Sequence, residues 1–301
     1  MAGLLFALLA VGCRRSDSRP AVILYCAQDQ VFAEPLLAAF TRESGWTVKP
    51  VFDSEAVKTV GLANRLLAER THPVADVFWG NEELRTRQLT EAGVFRPTNG
   101  WVAFGQRSRR LVMPSQPEAA VPPPPASLLD LTNSIWRGRV SLALPLFGTT
   151  ATHFLALRQH WGESNWLVWC RALAANQPFI EEGNSHVIRR VARGEAWIGL
   201  TDSDDITAGQ REGVPVVALP LEALSLLIPN TVGVVAKSTP LNPGTQLLVQ
   251  YLQSAPVQAS LITVGALESA GSPVATMQPD WPKLVREIDV GTAQLREIFQ
   301  P

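Results

Sequence analysis

The sequence predicts an α/β protein of two domains. Three observations carry that expectation. The chain has 301 residues, a length that suggests two domains or one large one. From Val22 onward, short apolar runs alternate with stretches of helical period, giving a β-α-β-α-β-α series. Polar or acidic residues follow each of these strands, as they do where open sheets bind ligands at their carboxyl ends.

Composition narrows the function classes. The 46% of hydrophobic residues supports a sizeable core. A net charge of −1 leaves no basic excess for phosphate backbones, so no nucleic-acid partner is expected. The apolar stretch Val214–Ile228 is broken by Pro215, Pro220 and Glu222 and does not read as a membrane span. The three cysteines form no disulfide framework, and Cys26 and Cys170 are expected to be buried and unpaired.

Residues 1–13 are an apolar run ending in Gly12-Cys13, too short to span a bilayer. The run resembles a bacterial lipoprotein signal, in which Cys13 takes the lipid. Ala10 stands where that pattern prefers Leu, and no Lys or Arg precedes the run. An ordinary cleaved secretory peptide is the alternative. Both place the mature chain outside the cytoplasm, in the periplasm or at the cell surface, with residues 14–20 as a polar tether.

Val22–Cys26 is a continuous apolar strand of the kind buried on both faces of a parallel sheet. Gln28-Asp29-Gln30 follows and opens a helix carrying Phe32, Leu36, Leu37 and Phe40, which stops at Ser44-Gly45. Trp46–Phe52 is a second strand, and Asp53-Ser54-Glu55 opens a helix over about 56–70. Ala75–Trp79 is a third strand, with Asn81, Glu82 and Glu83 opening the next helix. Each acid here has an ordinary explanation as a helix cap. Trp101–Phe104 and Leu111–Met113 flank a basic segment with Arg107, Arg109 and Arg110, read as strand leaving the first domain. The proline-rich stretch 114–125 is a surface loop.

Val140–Leu144 is a strand, and Gly148-Thr149-Thr150 opens a helix to about Trp161. A helix of residues 166–175, a short strand at Phe179-Ile180 and a helix opened by Gly183-Asn184-Ser185 follow. Two such helix starts, with Thr149, Thr150, Asn184 and Ser185, can offer N–H groups and hydroxyls to an anion. Trp197–Leu200 is then a strand running into Asp202, Asp204 and Asp205. Three acids this close repel one another and need water, a cation or a basic partner. The bland alternative is a solvated turn with an Asp cap. Strands over 214–219 and 231–236, helices over 245–253 and from 255, and a peripheral C-terminal helix over 281–299 complete the chain.

This order of elements, with ADVFWGNE at 75–82 and RGEAWIGLTDSDD at 193–205, resembles the periplasmic solute-binding component of ABC transporters, and the ferric-iron-binding type within it. The resemblance implies a two-lobe type II periplasmic-binding fold, each lobe a mainly parallel sheet flanked by helices, joined by two crossover strands. It implies lobe one over 21–104 plus 232–264, lobe two over 105–231, residues 1–20 as signal and tether, and 265–301 as a C-terminal helical segment. The family's metal positions fall at or near Asp29, at Asn81 or Glu82, and at Ser203-Asp204. Asp29, Glu82 and Asp204 are therefore the implied metal ligands. The family places two tyrosines at the last position, whereas this chain has only Tyr25 and Tyr251.

An oxygen set remains: Asp29, Asp53, Glu55, Glu82, Asp202, Asp204 and Asp205, with Gln28, Ser54 and Asn81 beside them. Hard cations prefer such ligands, Fe(III) among them, and a synergistic anion can complete the shell. An organic cation such as thiamine or a polyamine, with Trp79 as a cation–π face, is a second reading. An oxyanion or phosphonate at the two helix starts is a third. The expected function is an ABC-importer receptor that captures a small ligand, Fe(III) or another hard ion foremost, in an acidic cleft. The expected partners are a membrane permease and, through Cys13, the membrane itself, with the chain acting as a monomer. No resident cofactor and no enzymatic activity are expected. His72, His153, His160 and His186 form no metal-ligand spacing, and no GxSxG motif appears. A secreted enzyme or a sensor lipoprotein is the competing class.

Overall fold

The computed structural model describes residues 21–53, 60–98, 100–237, 240–269 and 276–300. Cys13, Ser54 and Glu55 lie outside the described residues, with the signal and tether. The strands are β1 (Ala21–Cys26), β2 (Thr47–Phe52), β3 (Val77–Gly80), β4 (Trp101–Pro114), β5 (Val140–Ala143), β6 (Phe179–Glu181), β7 (Ile198–Asp202), β8 (Val216–Leu219) and β9 (Leu227–Val234). They form one path, β2-β1-β3-β9-β4-β7-β5-β6, with β8 also paired to β4.

The two ends of this path are parallel and its middle is antiparallel. β1 runs parallel to β2 and β3, and β5 runs parallel to β6 and β7. Each parallel pair is joined through a helix, as a parallel crossover requires. β9 pairs antiparallel with β3 and with the first part of β4. The second part of β4 pairs antiparallel with β7 and β8. β4 and β9 therefore cross between the two halves. The sequence reads as strand over 101–113, basic segment included, leaving the first domain. The structure shows one strand whose register breaks between Phe104 and Arg107. At the break Gly105 takes φ 56°, and a Cβ there would collide with Leu267.

Each half of the sheet is covered on both faces. In the first half, Val22, Leu24 and Trp79 meet α1 (Gln30–Ser44), α8 (Pro243–Gln253) and α9 (Ala255–Thr263). Its other face carries Tyr25 and Phe78 against α2 (Val60–Ala68) and α3 (Glu83–Glu91). In the second half, Leu142, Ile198 and Leu200 pack with α4 (Gly148–Trp161) and α5 (Glu163–Ala175). Val112 packs with α6 (Asn184–Ala192) and α7 (Ser203–Arg211) on the other side. Double coverage is the reason these strands read as unbroken apolar runs. Cys26 and Cys170 are buried and unpaired, as expected. Among the described residues no helix is long and apolar enough to cross a membrane.

Three expectations change. The C-terminal helix α10 (Trp281–Phe299) is not peripheral, because Leu284, Ile288 and Leu295 complete the second-half core. Arg87 of α3 lies between the rings of Trp101 and Trp281, so α10 also touches the first half. The acidic segment 202–205 is no loop: β7 ends at Asp202 and α7 begins at Ser203. Trp79 is wholly buried against Phe104 and offers no face to a ligand.

Candidate functional site

The carboxyl ends of the strands in the two halves face one another across a cleft. On the second-half side the organising group is Asp202, the last residue of β7. Arg109 donates from Nη1 to its Oδ1 at 2.6 Å. The Thr149 hydroxyl donates to Oδ2 at 2.6 Å, and Asn184 donates from Nδ2 to the same oxygen at 3.0 Å. Burial opposes ionisation of Asp202, but Arg109, Arg107 and the Thr149 bond outweigh it and hold the carboxyl below its ordinary range. Both oxygens are thus engaged by protein. Asp202 aligns the starts of α4 and α6, and it is not placed to give a lone pair to a ligand.

Arg107 sits just past the break in β4 and is 3% exposed. It donates from Nη2 to the Asn81 carbonyl at 2.7 Å and from Nη1 to Asn230 Oδ1 at 3.3 Å. Its Nε lies 3.3 Å from Asp204 Oδ2 and 3.6 Å from Asp202 Oδ2. Burial works against its charge, and Asp204, Asp202, Asp29 and Asp205 more than restore it. One guanidinium therefore ties the end of β3, the crossover β9 and the start of α7.

These groups enclose a chamber of about 50 Å³. Arg107, Asn81, Thr149, Thr150 and Asn184 line it with Asp29, Asp202, Asp204, Asp205 and the exposed Glu182. A wider groove of about 280 Å³ shares Asp29, Asp204 and Asp205 with the chamber. That groove adds Gln30, Val31, Phe32, Ser185 and Ala208. Asp29, Asp204 and Asp205 thus form a neck between an inner chamber and an outer groove. One carboxylate oxygen from each of Asp202, Asp204 and Asp205 lies within 4.8 Å of the others; with Asp202 held by Arg109, Thr149 and Asn184, a hard cation here would rest on Asp204 and Asp205.

Other expected ligands are placed elsewhere. Glu82 is fully buried and accepts bonds from the N–H groups of Leu84 and Arg85, at 2.7 and 3.0 Å. The Thr152 hydroxyl of α4 adds a third, at 3.1 Å. Burial raises its carboxyl, against Arg85 and those bonds. Glu82 caps α3 and links it to α4, outside the chamber lining. Asp53 accepts from the Leu62 N–H at 2.8 Å, at the start of α2. Gln28 is buried, does not line the chamber, and accepts from Cys26 Sγ through its carbonyl at 3.7 Å. Of the three implied metal ligands, the structure brings Asp29 and Asp204 together and sends Glu82 away.

Arg107, Arg109 and Asn230 were missed as site residues. Only part of the signal was in the sequence, since arginine usually faces solvent. Arg107 and Arg109 are two apart in a strand and so share a face, between apolar runs that require burial. Two buried guanidiniums on one face demand carboxylates opposite, and the cluster at 202–205 supplies them.

Two sheet halves joined by two strands, with polar groups from both lining one cleft, define a two-lobed binding protein of the periplasmic type. The chain belongs to the family of bacterial extracellular solute-binding proteins, whose model matches residues 23–265. Among curated proteins, it is 26% identical to a Fe(3+)-binding periplasmic protein of Serratia marcescens over 211 residues, 64% of this chain. The chain spans 60% of that relative's length. Iron-bound HitA from Pseudomonas aeruginosa is similar in structure, with a TM-score of 0.78 and 18% identity, over 93% of this chain and 99% of that one. AfuA from Actinobacillus pleuropneumoniae with bound fructose-6-phosphate gives a TM-score of 0.79 and 17% identity, over 94% and 99%. At these identities the two structures establish the fold.

Proposed function

We propose that this protein is an extracytoplasmic receptor of an ABC importer, which captures a small positively charged ligand and delivers it to a membrane permease. The observation that carries the reading is the neck of carboxylates. Asp29 from the first half and Asp204 and Asp205 from the second meet where the two halves face each other. Asp202 is neutralised by Arg109, and Arg107 offsets one further charge. Three carboxylates gathered at one place favour a cation between them. A hard ion such as Fe(III) is the simplest such ligand, and the Serratia relative supports it. The family's tyrosine pair is absent, so an ion here would be held by carboxylates, with a synergistic anion at the helix starts. The same neck equally accepts an organic cation. No step of catalysis is assigned, and the N-terminal run ending in Gly12-Cys13, which resembles a lipoprotein signal, supports a lipid-anchored receptor.

Thermal unfolding of the chelator-stripped chain against metals, oxyanions and organic cations tests this. A ligand at a hundred times its dissociation constant adds about 2.7 kcal/mol. Asp29→Asn should abolish the shift and leave the unliganded midpoint nearly in place, whereas Asp204→Asn should abolish it and also lower that midpoint, because it removes a partner of the buried Arg107. Shifts that survive both changes would remove the neck from the binding site.

A further inference from the structure

The C-terminal helix α10 is fixed to the second half. Its Glu287 accepts from Arg158 Nη1 of α4 at 2.7 Å. Its Phe299 meets Phe154 of α4 edge to face, with ring centres 5.9 Å apart. A Cβ on Gly291 would collide with Leu155, so the two helices touch closely there. Helix α3, by contrast, is shared. Its Leu84 belongs to the second-half core with Leu284 and Ile288, whereas its Leu89 belongs to a first-half core with Phe78 and Phe95. Between them, the Thr86 hydroxyl pairs with that of Thr231 on the crossover strand β9 at 2.7 Å. The next residue, Arg87, lies between two indoles. Its guanidinium is 5.5 Å from the ring centre of Trp101, where β4 pairs with β9 in the first half. It is 5.2 Å from that of Trp281, the first residue of α10. Glu83 accepts from its Nε at 2.8 Å and holds it there. In this same conformation the halves are drawn together. Arg107 donates to the Asn81 carbonyl beside a chamber of only about 50 Å³.

We infer that Arg87 is a clasp that favours this closed arrangement. One cation is shared by two rings carried on different halves. When the halves part, Arg87 must leave one of them: Trp281 if α3 follows the first half, Trp101 if it follows the second. A cation–ring contact strengthens as it is withdrawn from water, and both rings are partly buried. None of the three residues lines the chamber or the groove beside it. The clasp therefore acts on the balance of open and closed forms and not on contacts to a ligand. In a receptor that closes on its cargo, such a contact raises apparent affinity by raising the closed fraction. The inference rests on the receptor reading only in requiring halves that move.

Small-angle X-ray scattering of the purified, unliganded full chain tests this, since parting the halves enlarges the radius of gyration. Arg87→Gln and Trp281→Leu should each shift the ratio of open to closed forms about fivefold toward open, the loss of one cation–ring contact. The double variant should go little further, because both changes act through one contact. Arg87→Lys keeps the charge and should stay near the wild type. The Arg87 side chain is 33% exposed, so replacing it leaves both cores filled, and cooperative thermal unfolding of each variant separates parted halves from a damaged fold. A radius equal in the wild type and both variants would overturn the clasp, and so would a contraction. Expansion with Arg87→Gln alone would also overturn it, by placing the contact within one half. All of these outcomes leave the receptor reading standing; that reading fails separately, if no ligand stabilises the chain.

Discussion

On the first-half rim of the cleft, Asp53 and Glu82 each accept backbone N–H bonds from the helix that follows them. On the second-half rim, Asp202 makes no cap bond to α7 and takes Arg109, Thr149 and Asn184 instead. The local sequence signal is the same in all three places, an acid where a strand gives way to a helix. What separates the outcomes is the group across the way. Asp202 faces a guanidinium brought by the crossover strand β4, which outcompetes a backbone N–H as a charge-assisted donor. Asp53 and Glu82 instead accept N–H bonds from their own helices, with the Thr152 hydroxyl added at Glu82. The first half thus contributes chiefly Asp29 and Asn81 to the chamber, and the second half contributes most of its lining.

The sharpest way to break this contrast is to remove the guanidinium. Arg109→Met leaves Asp202 as a buried, largely uncompensated charge and should cost about 3–5 kcal/mol. Chemical unfolding measures it, and adding Asp202→Asn should recover part of the loss. If Arg109→Met alone were neutral, the pair would not be what organises the second rim. The corresponding change on the first rim should be milder. Glu82→Ala removes a cap and the bond from Thr152, at about 1–3 kcal/mol, without changing ligand affinity. A large loss of affinity instead would return Glu82 to the ligand set.

A pH titration sharpens the same comparison. His153 of α4 is fully buried; burial, reinforced by nearby Arg109, lowers its pKa from 6.5 to about 3. Its Nε2 meets the Leu224 carbonyl at 2.8 Å, which fits the neutral ring donating. The folded pKa is depressed, so the unfolded chain takes the proton first as pH falls. Its contribution is complete above about pH 6.5 and declines toward 3, with a limiting slope of about 1.4 kcal/mol per pH unit. His153→Gln should flatten that stretch of the stability profile. An unaltered slope would assign it to other groups. The smallest effect belongs to Asp53→Ala, about 1 kcal/mol for a lost cap, seen as a small shift in the denaturant midpoint with ligand binding intact.

Much of the fold was legible because burial on both faces writes itself as unbroken apolar runs, as in Val22–Cys26 and Val140–Ala143. Helix starts were legible from Gly148, Gly183 and Asn184. Of the site, Asp29, Asp204 and Asp205 could be named because acids after strands in an α/β sheet converge on one edge. Asp202 was named too, but its role was not visible, since that depends on Arg109, 93 residues away. The basic segment hid Arg107 and Arg109 because surface charge is the usual fate of arginine. The packing of α10 was equally hidden. Its apolar face signals burial somewhere, and only the tertiary arrangement says that the partners are α3, α4 and α5.

The route of β9 bears on how the chain reaches this state. Val77 of β3 is registered with Val234 of β9, and Val102 of β4 with Val232. The first half therefore lacks the strand that joins β3 to β4 until residues beyond 227 have been made. The second half likewise waits for Leu284, Ile288 and Leu295 to fill its core. Contacts this distant in sequence slow the search for the native state, because the loop must be closed before the pairing rewards it. Neither half can finish from the N-terminal side alone. The last quarter of the chain acts as a kinetic keystone, and truncations there should leave collapsed, unfinished chains, not one folded half.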